Sequence, residues 1–283
     1  MKKIQLITCT ILFLTCFGCN GAEKKEISAS AIIRLVKQGK PVQIVNRIIF
    51  DDLDFTAGSE PFALSANMTV NDVQSNIYFD GCVFMGKVTS NGKQGKTAVQ
   101  SRFAYNLTFT GCDFRGEVAF DGAVVCGAVN FGRSVFREKA SFNNMAVWAK
   151  DSYFSEMKAE KTFFMINASF AGNLHLPDAV FDGETSFQET SVKGKLIFNN
   201  CRFAARAGLD LIDIHGSAFF NYTRFAGTAD FTQSRFIYTV DFVQTVFSAR
   251  AVFEKVTFMN KVNFEVVDRS RLIFTGALFT IPQ

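Results

Sequence analysis

The residues best suited to chemistry in this chain are few, and they sit close together. Asp210-Leu211-Ile212-Asp213-Ile214-His215 places two carboxylates and an imidazole within six positions. Aspartate beside histidine can move protons or hold a metal, because imidazole is the side chain that titrates near neutral pH. With Ile212 and Ile214 turned inward on an extended chain, Asp213 and His215 flank Ile214 and point outward, and Asp210 follows Leu209. Charged residues beside an inward position are also the ordinary solvated surface of a repeat protein. Asp210, Asp213 and His215 are therefore surface candidates for binding, with no catalytic residue assigned. The other histidine, His175, lies between Leu174 and Leu176 with no partner nearby in sequence.

Cysteine gives no metal site. The sequence has seven cysteines but no C-x-x-C pair and no Cys/His cluster, so neither a metal nor a cofactor is expected. Cys82, Cys112 and Cys201 each stand two residues before a phenylalanine and read as small core fillers. Cys126 is off that pattern. Asn-x-Ser/Thr triplets begin at Asn67, Asn106, Asn167 and Asn221, where turn chemistry is the expected role.

Charge excludes one large class of partners. The net charge of +4 falls to +2 without Lys2 and Lys3, and the remaining basic residues are scattered. No nucleic-acid footprint is present, and the chain is equally far from an acidic mimic of DNA.

The elements that carry these side chains are set by phenylalanine. The chain has 34 Phe against one Trp and five Tyr. A core dominated by one side chain implies a space that repeats. Over residues 220–264 the rings fall at Phe220, Phe225, Phe231, Phe236, Phe242, Phe247, Phe253, Phe258 and Phe264, with intervals alternating five and six. A small or β-branched residue precedes each by two: Ala218, Thr223, Ala229, Ser234, Val240, Thr245, Ala251, Val256, Val262. On an α-helix such spacing builds no face. It fits very short strands, each turning two side chains inward, separated by tight turns. Four strands make a coil of 22 residues, which predicts that Phe220, Phe242 and Phe264 stack in one column and Phe231 and Phe253 in another. Repetition at a fixed period marks a solenoid, in which each unit buries its face only against its neighbours.

Before the repeat, Met1-Lys2-Lys3 and the apolar run ending at Gly18 form a charged and then a hydrophobic segment too short for a bilayer span. Gly18-Cys19 at its end resembles a bacterial lipoprotein signal, with Cys16 where an aliphatic residue is usual. That resemblance implies removal of residues 1–18, lipidation of Cys19 and a tether over 19–27. The membrane reached through Cys19 is then one partner. The expected location is the bacterial cell envelope, most simply the outer membrane on its periplasmic or surface face. Several acyl chains on one residue would anchor stably. Residues 28–43 hold one helix, capped by Ser28 or Ser30 and stopped by Gly39 and Pro41, and its single apolar face suits a cap on the end of the solenoid. The repeat then occupies 44–283, with a loop insertion at about 85–102 where Asn91-Gly92 suggests a projecting hairpin.

The units Ala229-Asp230-Phe231-Thr232-Gln233, Ser234-Arg235-Phe236 and Ala251-Val252-Phe253-Glu254-Lys255 resemble pentapeptide-repeat proteins, in a Phe-rich variety with an extra residue in alternate units. The resemblance implies an all-β, right-handed quadrilateral β-helix. It covers about residues 77–283 well and 44–76 weakly. It also implies, as one family activity, inhibition of type II topoisomerases by DNA mimicry, which export and a slightly basic surface oppose. A polysaccharide-cleaving or carbohydrate-binding β-helix is the alternative. The favoured expectation is a non-catalytic scaffold binding an unknown protein partner, with homodimerisation through the apolar C-terminal end as one form, since some relatives of that type pair there.

Overall fold

In the computed structural model, residues 24–58, 62–65 and 67–281 are described; Cys19, and with it the expected lipid site, lies outside them. Stacked parallel strands form a β-solenoid of about 11 turns with about 22 residues per coil, and one helix lies near the N-terminus. The strands fall into four sheets, one for each side of the coil. We number these faces in the order the chain visits them: face one from Val42–Val45, face two from Arg47–Ile49, face three from Leu53–Asp54 and face four from Met68–Val73.

The register follows the phenylalanine period. Leu196, Ala218, Val240 and Val262 are successive partners on face one. The expected columns form: the rings of Phe220 and Phe242 stack at 4.9 Å, Phe242 and Phe264 at 5.1 Å, and Phe231 and Phe253 at 4.8 Å. Rings from different faces meet edge to face instead, as Phe231 and Phe242 do at 89°. Both arrangements suit the aromatic quadrupole, so one side chain type fills much of the interior, with Val, Leu, Ile and Met completing it.

The small residue before each ring has a second duty. Buried hydroxyls at that position donate across one coil to a backbone carbonyl: Ser134 to Phe109 at 2.7 Å, Ser234 to Leu209 at 2.6 Å and Thr245 to Phe220 at 2.7 Å. Each satisfies a donor that burial would otherwise leave unpaired. Two of the four corners carry a residue in the left-handed region. Arg133, Glu156, Asp178, Asn200, Tyr222, Gln244 and Val266 occupy the corner between faces one and two, with φ of 53–61°. Asn144, Asn167, Glu189, Leu211, Gln233 and Lys255 occupy the corner between faces three and four. These are the five-residue intervals. Backbone strain of about 1–2 kcal/mol per such residue is tolerated because the coils above and below fix the turn.

Three departures from the expected pattern have local causes. The helix α1 spans Ala29–Lys37, begins at Ser28 and buries Ala29, Ile32 and Val36, yet Lys25–Glu26 of the expected tether pairs with face two as a strand. Residues 85–102 are mostly body. Val88–Thr89 and Thr97–Phe103 belong to faces three and four, and the hairpin folds Asn91–Gln94 back on the latter. Its turn is Gly95-Lys96, with Gly95 at φ 62°, so Asn91-Gly92 lies in the strand and not at the tip. Finally, the spacing blurs after Val147 because one residue is added there: Leu107 pairs with Val129, but Val129 pairs with Ser152. Trp148, 62% exposed, stands at that addition.

Candidate functional site

Asp213 starts a two-residue strand on face four, and His215 follows it. Their proximity survives folding: His215 Nε2 lies 2.8 Å from Asp213 Oδ2. Arg235, one coil further, donates from Nε to Asp213 Oδ1 at 2.8 Å and from a terminal nitrogen to Oδ2 at 2.9 Å. Lys193 Nζ, one coil earlier, is 2.8 Å from the same His215 Nε2. One ring nitrogen cannot donate to a carboxylate and accept from an ammonium together, so Asp213 and Lys193 compete for it. Burial pushes the Asp213 carboxyl up, but the Arg235 and His215 hydrogen bonds outweigh that and hold it below the usual carboxylate range. A carboxylate already held by a two-pronged guanidinium is a poor proton acceptor.

Asp210 does not join this pair. Leu211, at φ 59°, turns the chain through the corner between faces three and four, and Asp210 stays on the near side. There its Oδ1 leans over Gly208, 3.4 Å from where a Cβ would be, beside Ser186. Burial, and then the negative charges of Asp230 and Glu189, raise its carboxyl above the usual value, while its own backbone amide and Arg206 oppose the rise. The three candidate residues therefore divide between two sides of the rod. Six positions of sequence span a corner between two sheets, which the residue types alone do not announce.

His175 has the partner that sequence missed. Its Nε2 is 2.9 Å from Asp151 Oδ1, and Asn173 donates to the same oxygen at 2.8 Å. The two Asn173 and Asp151 hydrogen-bonding groups sit on face one, where the His175 ring stacks on Tyr153 at 4.9 Å. Hydrogen bonds from Asn173 and then His175 lower the Asp151 carboxyl. The signal was the coil offset: Asp151 and Asn173 are register partners, as are Tyr153 and His175.

Charge on face two is arranged in the same way, coil to coil. A chain of ion pairs runs from Asp113 through Arg137, Glu160, Lys158 and Asp182 to Arg202, with contacts of 2.6, 3.4, 3.1, 3.2 and 2.8 Å. The basic groups are exposed and the carboxylates partly so, and water therefore screens each pair and leaves it little weight in stability. Among the described residues no group of three or more His, Cys, Asp or Glu is placed to hold a metal ion. No described helix is long and apolar enough to cross a membrane.

A concave surface opens at the C-terminal end. A cleft of about 680 Å³ is lined by Val262, Phe264, Arg269, Phe274 and Phe279 among others. The Arg269 guanidinium lies 5.7 Å from the centre of the Phe264 ring, a cation–π contact. Around it the last strands of faces two, three and four, Val246–Phe247, Leu272–Ile273 and Leu278–Phe279, end their sheets. Apolar side chains are exposed on several sides of these last coils: Val246 on face two is 42%, Val266 at the corner before that face 73% and Leu278 on face four 54% exposed. No protein-family model matches the chain, and no curated protein does.

Proposed function

We propose that this chain is a non-catalytic scaffold of the bacterial cell envelope, a lipoprotein tethered through Cys19, that binds a protein partner at its C-terminal end. The solenoid, with coils of about 22 residues, is compatible with the Phe-rich pentapeptide-repeat reading. One observation carries the proposal: sheets end at strand edges with exposed apolar side chains at the C-terminus, whereas a helix covers the other end. An uncovered sheet edge is a ready template for pairing. A second copy of the chain is the simplest occupant. Sedimentation of residues 20–283 tests that form: a dimer at micromolar concentration supports it, and a monomer at high micromolar concentration removes it.

The second reading is carbohydrate binding on face one, and the Tyr153–His175 stack favours it. Tyr153 is 38% exposed, and Asp151 and Asn173 stand beside it to bond hydroxyl groups. Titration of envelope glycans against tryptophan and tyrosine fluorescence distinguishes the two readings, with Tyr153→Ala as the control. A Tyr153-dependent change would favour the glycan.

A further inference from the structure

We propose that Cys82 and Cys112 are a built disulfide site, closed when the chain folds under oxidising conditions, which staples the second coil to the third across the hairpin.

The two residues occupy the same position in successive coils, two before the stacked rings of Phe84 and Phe114, which are register partners 5.0 Å apart. The Asp113 amide donates to the Cys82 carbonyl at 2.8 Å, which locks their backbones side by side. Parallel neighbours of this kind are about 4.8 Å apart, inside the Cα separation of 4.4–6.8 Å that disulfides span. Their Cβ atoms, both turned inward, stand at nearly the coil spacing of about 4.8 Å, so closure asks the corner to tighten by about 1 Å to reach the usual Cβ separation. Each thiol lies against backbone carbonyls, Cys82 Sγ 3.5 Å from those of Ile44 and Asp80 and Cys112 Sγ 3.5 Å from that of Thr110, and the neighbouring Cys112 side chain draws the Cys82 thiol below its usual value. The other described cysteines lack this arrangement. Cys201 is buried between Ala179 and Thr223 of its column, and Cys126 lies outside on face four.

The oxidant is a disulfide-bearing thiol carrier. Cys82 thiolate attacks the carrier's S–S bond, forming a mixed disulfide and releasing one carrier thiol. Cys112 thiolate then attacks Cys82 Sγ and expels the second carrier thiol. The two cysteines lose two protons and two electrons, and one carrier disulfide becomes two thiols. Both side chains are buried in the finished fold, so the exchange belongs to the folding chain.

Residues 20–283, which contain four cysteines, are reduced, unfolded, and refolded in a mixture of oxidised and reduced glutathione. The expected product has two of its four thiols blocked to maleimide after denaturation, and a non-reducing digest yields one linked peptide pair holding Cys82 and Cys112. Its thermal midpoint exceeds that of the same protein after reduction by several degrees, and Cys112→Ser and Cys82→Ser both abolish the difference. Four reactive thiols in the oxidised, correctly folded product overturn the proposal, as does a linkage through Cys126 or Cys201. The readout is independent of export and of any partner.

Discussion

The two ends of this rod solve the same problem in opposite ways. Every solenoid must stop, and its last coil exposes strands with nothing stacked on them. At the N-terminal end, α1 lays Ala29, Ile32 and Val36 over the first coil, leaving each at most 4% exposed. Ser75 bonds to the carbonyl of Val36, and Asn71, fully buried, donates to the carbonyl of Phe55, whereas one coil further in the buried hydroxyls of Ser90 and Ser101 have no hydrogen-bond partner among the described residues. At the C-terminal end the only helix among the described residues is a 3₁₀ turn, Arg269–Arg271, and it buries no residue. Phe274 and Phe279 continue their columns, stacking on Phe253 and Phe258, but they remain partly exposed. The difference teaches that termination is a property of a few side chains and not of the repeat, and that an apolar end left uncovered has the character of an interface.

Removing the cap should have the largest effect. Ile32→Ala is expected to cost about 2–5 kcal/mol in chemical denaturation, the range for truncating a fully buried aliphatic side chain. Leu278→Ala, at the open end, should change the stability of the isolated chain by no more than about 0.5 kcal/mol. Similar losses at both positions would break the contrast. Val266 is β-branched at φ 57° and faces solvent, so the open end carries strain that no packing there compensates. Val266→Gly should stabilise by about 1 kcal/mol, measured as a rise in the denaturation midpoint. Ser28 accepts a hydrogen bond from the Ala31 amide at the start of α1, and Ser28→Ala should cost about 1 kcal/mol.

The smallest effect separates the ends from the body between them. Arg235→Ala should cost less than about 1 kcal/mol, because the Asp213 pair is partly exposed and screened. Its sign with pH follows from the lowered Asp213 carboxyl. The contribution is full above the ordinary carboxylate pKa and disappears as pH falls through the depressed one. The difference between wild type and Arg235→Ala should therefore vanish in acid and persist at neutral pH.

Much of this was legible in the sequence, because a period of 22 is written directly in the phenylalanines. The column of Phe220, Phe242 and Phe264 needed only counting. The corners were not legible: Tyr222, Leu211 and Val266 hold left-handed conformations that their side chains do not favour, imposed by the stacked coils. For the same reason Asp210 parted from Asp213 and His215. Asp151 was hidden from His175 by the residue added near Trp148, which disturbs the spacing just before it. Cys82 and Cys112 are neighbours at an offset of 30 and not 22, since the hairpin lengthens that coil, so counting alone could not pair them.

On the proposed function, the two ends differ in use as they differ in structure. Photo-crosslinking in membranes of the native host tests it most directly, with the probe placed at Leu278, at Ser30 on the cap, or at Tyr153 on face one. A discrete protein adduct is expected from Leu278, at twice the chain mass if the occupant is a second copy, and none from Ser30 or Tyr153. Adducts from Ser30 or Tyr153 with none from Leu278 would contradict it.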